Sequence, residues 1–286
     1  MVKTIENLHL GQCVGLVYAD RVRHTGRYAE GKERISRVHH ALISNGFKVL
    51  MVSRTGLAEA EQELCRCDWI LSLGGDGTQL ETARYIAEKP VLGVILFPET
   101  SAGFLCACDY AAFLHLQVTP GANVGVASYM RLSCVLNGKV VGRPILNDIL
   151  LAQACPARAS RYYLRVADFR EYQCSSGVWI STAIGSHGAI RSAGGPSLPI
   201  EARRAAYCVR ENAISGKLIC GEFCASDPQN LSIQFEGGRH FVFFDGGLQE
   251  IALASGDVVS VVECATDFRS IVLGESMAAG KGKVAV

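Results

Sequence analysis

With 286 residues, 49% hydrophobic and 19% charged, the chain has material for a sizeable core in two domains or one large one, and its composition argues against global disorder. A formal net charge of +1, with no long run of like charge, argues against a nucleic-acid-binding surface. The stretch MVKTIENLHLGQC lacks an apolar signal core and no run approaches ~18 apolar residues, so a cytoplasmic location without membrane contact is expected.

From Cys13 to Leu96, short apolar runs alternate with amphipathic helical ones. CVGLVYA (Cys13–Ala19) reads as a strand, and GKERISRVHHALISNGF then places Ile35, Val38, Leu42 and Ile43 on one helical face before Gly46 stops the helix. KVLMVS is the next strand, LAEAEQELCRC the next helix and WILSL the third strand. A helix from Thr78 presents Leu80, Ala83, Tyr85 and Ile86, and VLGVIL (Val91–Leu96) is the fourth strand. Continuous apolar strands separated by helices mean right-handed crossovers and a parallel sheet covered on both faces.

The rhythm changes at YMRLSCVLNGKVVGR, where Asn137-Gly138 between two strand-like runs is a strong hairpin signal. RYYLRVA, LSIQFEGGRHFVFFDGG and GDVVSVVE repeat the pattern of strand, glycine turn, strand; only IEARRAAYCV has a helical look. The fold class expected is an α/β domain with a parallel sheet followed by an all-β sandwich, divided at 1–122 and 123–270. Residues 271–286 form a C-terminal segment that can return to the first domain.

Twelve cysteines include the close pairs Cys65/Cys67, Cys106/Cys108 and Cys220/Cys224, none with zinc-ribbon spacing, so reduced thiols are expected. Cys155 and Cys174 lie near the motifs below, where oxidation sensitivity is conceivable.

The first motif is Gly74-Gly75-Asp76-Gly77-Thr78, at the carboxyl end of a strand and the start of a helix. Glycines there let backbone N–H groups approach an anion at the positive end of the helix dipole. Asp76 could help hold Mg²⁺ or take a proton from an attacking hydroxyl; a type I′ or II turn with a capping aspartate accounts for the composition equally. Next, Asn147 and Asp148 interrupt an apolar strand, either as a bulge or turn or as a polar grip on a ligand's sugar hydroxyls. SSGVWISTAIGSHGAIRSAGG (Ser175–Gly195) is a Ser/Gly loop that could let a planar or phosphorylated ligand lie against the backbone. His187 within it reads as a surface histidine or a phosphate contact, and FFDGG (Phe243–Gly247) as a hairpin turn.

No G-x-x-x-x-G-K-[ST] occurs, and no G-x-G-x-x-G follows the first strand. AIGSHGA has Ile184 where a nucleophile elbow needs glycine, which disfavours a serine hydrolase.

Taken in order, these segments resemble the NAD kinase family: the Gly74–Thr78 loop, SAGFLC (Ser101–Cys106), Asn147-Asp148, Ser181–Ser186 with Gly194-Gly195, and Asp245-Gly246. NDILLAQACPARASR together with SSGVWISTAIGS looks most like the plant-type NADH kinase branch. The resemblance implies an α/β domain, a β-sandwich domain and a site in the cleft between them. It implies transfer of the γ-phosphoryl of ATP, or of inorganic polyphosphate, to the adenosine 2′-hydroxyl of NAD or NADH, with Mg²⁺ required. Carried over by position, Asp76 is implied as the base and Gly74, Gly75, Gly77 and Thr78 as the phosphate loop. Asn147 and Asp148 are implied to bind the ribose and adenosine of the dinucleotide, and Thr182, Ala183 and Ser186 to line the adenine and ribose pocket. A homo-oligomer, as a dimer, is the expected assembly.

Three departures stand out: Asn-Asp for the more usual Asn-Glu, His187 for a common threonine, and YADRVRHTG in place of an Asn-Pro loop. Arg21, Arg23 and Arg27 in or beside that loop could supply phosphate-binding charge or simply be solvated. A lipid kinase of diacylglycerol type, which shares the glycine loop, and a non-catalytic dinucleotide-binding regulator are the alternatives.

Overall fold

The computed structural model describes residues 5–20, 27–116, 118–214, 216–227 and 229–273. Arg21, Arg23 and the segment from residue 274 onward lie outside them. The described chain forms two compact units: one runs to Ser128 and resumes at Phe268, the other is Tyr129–Asp267.

The first unit begins with β1 (Ile5–His9), β2 (Cys13–Tyr18), α1 (Tyr28–Ser44) and β3 (Lys48–Ser53). A 3-10 turn at Arg54–Gly56 leads to α2 (Glu61–Leu64), β4 (Trp69–Gly74), α3 (Asp76–Tyr85) and β5 (Val91–Ile95). Then come β6 (Cys108–Asp109), α4 (Tyr110–His115) and β7 (Asn123–Tyr129). The second unit holds β8 (Leu132–Leu136), β9 (Lys139–Ile145), β10 (Asp148–Gln153), β11 (Ser160–Val166), β12 (Phe169–Ser175) and β13 (Gly177–Ser181). After α5 (Ala189–Ser192) it continues with β14 (Ala205–Arg210), β15 (Cys220–Phe223), β16 (Leu231–Phe235), β17 (His240–Phe244), β18 (Gln249–Leu253) and β19 (Val258–Glu263). β20 (Phe268–Val272) belongs to the first unit again.

In the first unit the strand order is β1-β7-β20-β5-β4-β2-β3, with β6 beside β5. The four expected strands, β2 to β5, are parallel neighbours. All of β4 is buried, as a strand covered on both faces must be. α1 buries Ile35, Val38 and Leu42, but Ile43 is 48% exposed: eight residues on from Ile35 it has rotated about 80° off the buried stripe. Gly46, at φ +93°, ends the helix as expected. LAEAEQELCRC yields only the four-residue α2. α3 begins two residues before Thr78 and buries Gln79, Thr82, Ala83 and, just past its end, Ile86, rather than a Leu80/Tyr85 face.

The second unit is a sandwich of two antiparallel six-stranded sheets, β15-β14-β13-β10-β17-β18 and β12-β11-β16-β19-β8-β9. Alternate residues of each fill one core, among them Ile149, Leu151, Val178 and Phe244 from the first and Leu132, Leu164, Ile233 and Val261 from the second. Asn137 and Gly138 both have positive φ in the tight turn between β8 and β9, as the dipeptide predicts. One expectation fails. IEARRAAYCV contributes β14, not a helix, because Ala205 to Val209 are buried between two sheet neighbours. β16 and β17 flank the Gly237-Gly238 turn as read, and that turn carries the chain from one sheet to the other. Cys208 and Cys220, opposite each other on β14 and β15, form a disulfide, which corrects the expectation of reduced thiols at that pair.

Candidate active site

In the first unit, α3 follows β4 with only Gly75 between them. Neither Gly74 nor Gly75 has a positive φ, so the loop is not a type I′ or II turn, and Asp76 stands inside the first helical turn instead of capping it. The glycines answer to close approach. A Cβ on Gly74 would run into the Thr78 hydroxyl, and one on Gly75 would sit 2.5 Å from Ser101 Oγ. Gly77 is exposed, with nothing nearer to its Cβ position than Arg54 Nη1 at 3.6 Å. Thr78 is buried, and its N–H donates to Gly75 O (2.9 Å). The first-turn N–H groups of Asp76 and Gly77 have no acceptor within the helix and lie at its positive end.

Asp76 Oδ1 accepts from Leu105 N–H at 2.8 Å, which ties the carboxylate to the SAGFLC segment. A cavity of about 370 Å³ opens there, lined by Gly74–Thr78 with Arg27, Arg54, Phe97 and Ser101. Arg27 stacks 4.3 Å above the Phe97 ring and pairs with both Glu30 and Glu99. Its hydrogen bond with Glu30 raises the guanidinium's pKa and holds the Glu30 carboxyl below its usual range. Ser101 belongs to the SAGFLC segment, whereas Arg54 stands in no pattern of spaced polar residues and is invisible to sequence reading.

In the second unit, three segments at one end of a sheet are tied together. Asn147 N–H and Asp148 N–H both donate to Asp245 Oδ1, at 2.8 and 3.3 Å, and Asp245 N–H returns a bond to Asp148 O (2.8 Å). Asp245 has φ +45° in the turn joining β17 to β18, so FFDGG is the hairpin turn read from sequence and also a clamp on β10. Asn147 Nδ2 donates to Asp148 Oδ2 (2.8 Å). Asp148 is only 2% exposed, and its Oδ1 has no hydrogen-bond partner among the described residues. Burial first, then the Asp245 carboxylate, push its pKa up to about 7, against the opposing pull of Gly246 N–H.

The Ser181–Ser186 segment is sealed, with Thr182, Ala183 and Ser186 all buried. Thr182 Oγ1 donates to Leu146 O (2.6 Å) and accepts from Gly185 N–H (3.0 Å). Ser186 Oγ donates to Ala183 O (2.6 Å) and accepts from Leu198 N–H (2.8 Å). Both hydroxyls are thus taken up by backbone groups of the segment and its neighbours in this structure. Gly185 packs on the Asn147 backbone, and exposed Gly188 lies beside the Asn147 side chain. His187 is half-buried, and its Nε2 lies 2.8 Å from Leu198 O.

No family model matches the chain. It is 28% identical over 258 residues to a probable NADH kinase of Oryza sativa subsp. japonica, covering 80% of this chain and 78% of the relative. It is 28% identical over 216 residues to an NAD kinase of Prosthecochloris aestuarii, covering 72% and 73%. A yeast NADH kinase solved with NADH superposes with a TM-score of 0.76 at 18% identity, over 94% of this chain and 85% of that one. An NAD kinase of Archaeoglobus fulgidus solved with ATP gives 0.66 at 19% identity, over 93% and 96%. The order of motifs, the sequence matches and the fold agree: this chain is similar to the NAD and NADH kinases and shares their two-domain architecture.

Proposed function

We propose that the chain is an NAD(H) kinase, transferring the γ-phosphoryl group of ATP to the adenosine 2′-hydroxyl of NAD or NADH to give NADP(H). The observation that carries this reading is Asp76, a carboxylate anchored by Leu105 N–H at the amino end of α3 and beside a cavity of about 370 Å³. With Oδ1 held, Oδ2 accepts the proton of the 2′-hydroxyl as its oxygen bonds to the γ-phosphorus and the bridging P–O bond to ADP breaks. The N–H groups of Asp76 and Gly77 receive phosphate oxygens, and Gly74, Gly75 and Thr78 keep the loop tight against the strand.

Among the described residues, no three His, Cys, Asp or Glu side chains converge on a metal position. Mg²⁺ would enter with the triphosphate, held by phosphate oxygens and water, which leaves Asp76 Oδ2 for the proton. When bound, the ion neutralises phosphate charge. We assign the acceptor's ribose to Asn147 and Asp148, and its adenine to the backbone that Thr182, Ala183 and Ser186 hold in shape.

The test is incubation with MgATP, or Mg-polyphosphate, and either NAD or NADH, reading NADP(H) with an NADP-specific dehydrogenase. Product with either acceptor is expected. No product with either overturns the proposal; NADH binding without turnover then identifies a regulator, and labelled phosphate on diacylglycerol a lipid kinase.

A further inference from the structure

We infer that Arg54 recognises the donor's phosphates and that Glu81 is the residue that positions it. The identity of the donor as a triphosphate rests on the kinase reading; the geometry does not. β3 ends at Ser53, and the 3-10 turn that follows is closed by Gly56 N–H donating to Ser53 Oγ (3.2 Å). The Thr55 hydroxyl donates to Asp20 just past β2, so the backbone carrying Arg54 is fastened on both sides. Arg54 Nε donates to Glu81 Oε2 on α3, and both side chains are half-buried.

A guanidinium carries five N–H donors in a planar fork. Glu81 takes the Nε edge, and Nη1 comes against Gly77, the exposed glycine of the phosphate loop. Arg54 thus borders the cavity whose floor supplies the first-turn N–H groups of α3. Arg27, which also lines that cavity, is engaged by two carboxylates and stacked on Phe97. A polyanion placed beside Asp76 needs countercharge from the protein, and the planar fork of Arg54 suits paired phosphate oxygens better than a lysine's point charge would.

The experiment titrates the full chain separately with MgATP, inorganic tripolyphosphate and NAD, and measures both Michaelis constants. Arg54→Ala should raise the Kd for ATP and tripolyphosphate and the KM for ATP at least ~10-fold, with the NAD KM within about 2-fold. Arg54→Lys should recover only part. Glu81→Gln, which keeps an oxygen for Nε, should hold most of the affinity, whereas Glu81→Ala should approach Arg54→Ala. Thermal melts report folding, and if Arg54→Ala does not fold, Arg54→Lys and Glu81→Ala decide the matter by the same constants. An unchanged ATP KM, or a shift in the NAD KM instead, overturns the inference. Wild-type protein that binds tripolyphosphate through Arg54 yet makes no NADP(H) overturns the kinase reading alone; turnover indifferent to Arg54 overturns this inference alone.

Discussion

The two segments richest in small and hydroxyl residues, Gly74–Thr78 and Ser181–Gly188, look alike as sequence and differ in what they display. Each needs glycine where the chain passes close to another group: Gly74 against Thr78, Gly185 against the Asn147 backbone. In the first, the polar side chain proposed as the base, Asp76, stays half-buried at a cavity with one oxygen tethered. In the second, Thr182 and Ser186 turn inward, and what remains partly outside is backbone at Gly188 and the side chains of Asn147 and His187. Small residues therefore mark close packing in both places, and burial decides which polar side chains are left to meet a ligand.

That contrast can be pressed experimentally, starting with the largest effect. Gly185→Ala forces a Cβ onto the Asn147 carbonyl and within 2.9 Å of its Cα, so urea unfolding should show a loss of more than ~3 kcal/mol. Asp76→Asn should instead leave stability and dinucleotide binding near wild type while kcat falls at least ~10²-fold, about 2.7 kcal/mol of barrier. Normal turnover in that variant would remove Asp76 as the base.

Asp148 supplies a pH test. Its pKa is about 7 in the folded chain and near 4 unfolded, so the native state binds the proton more tightly. Its contribution is complete below pH ~4 and is lost as pH rises through about 7. Asp148→Asn keeps an oxygen for Asn147 Nδ2 and should melt like wild type at pH 4 but be more stable at pH 8, by on the order of 2 kcal/mol. Equal melting shifts at both pH values would contradict that. Gly77→Ala is the smallest change: with only Arg54 Nη1 nearby, stability should move by no more than ~1 kcal/mol.

The sequence was most legible where one interaction decides the outcome. Strands β2, β4 and β5 are continuous apolar runs, and a strand buried on both faces tolerates little else. Gly46 and Asn137-Gly138 carry turns whose φ values few other residues adopt. Legibility failed where distant partners decide. Alanines in β14 favour a helix locally, but two neighbouring strands claim them. The Gly237-Gly238 turn announces a reversal without saying which sheet receives the next strand. Arg54 and Glu81 meet across 27 positions, so no short window contains the pair. Hydroxyl-rich composition at Thr182 and Ser186 could not tell an inward side chain from an outward one.

β20 has a consequence for how the protein is made. It lies between β7 and β5, so the strand that completes the first sheet is encoded after the whole second unit. A chain emerging from the ribosome can close its sandwich in sequence order. The sheet that carries the glycine loop must wait, with the Val91 end of one flank of β5 unmatched, until residues 268–272 have been synthesised. The unit that starts first is finished last, and a transcript cut short before that strand would release a nascent chain with an open sheet edge inviting the wrong partner.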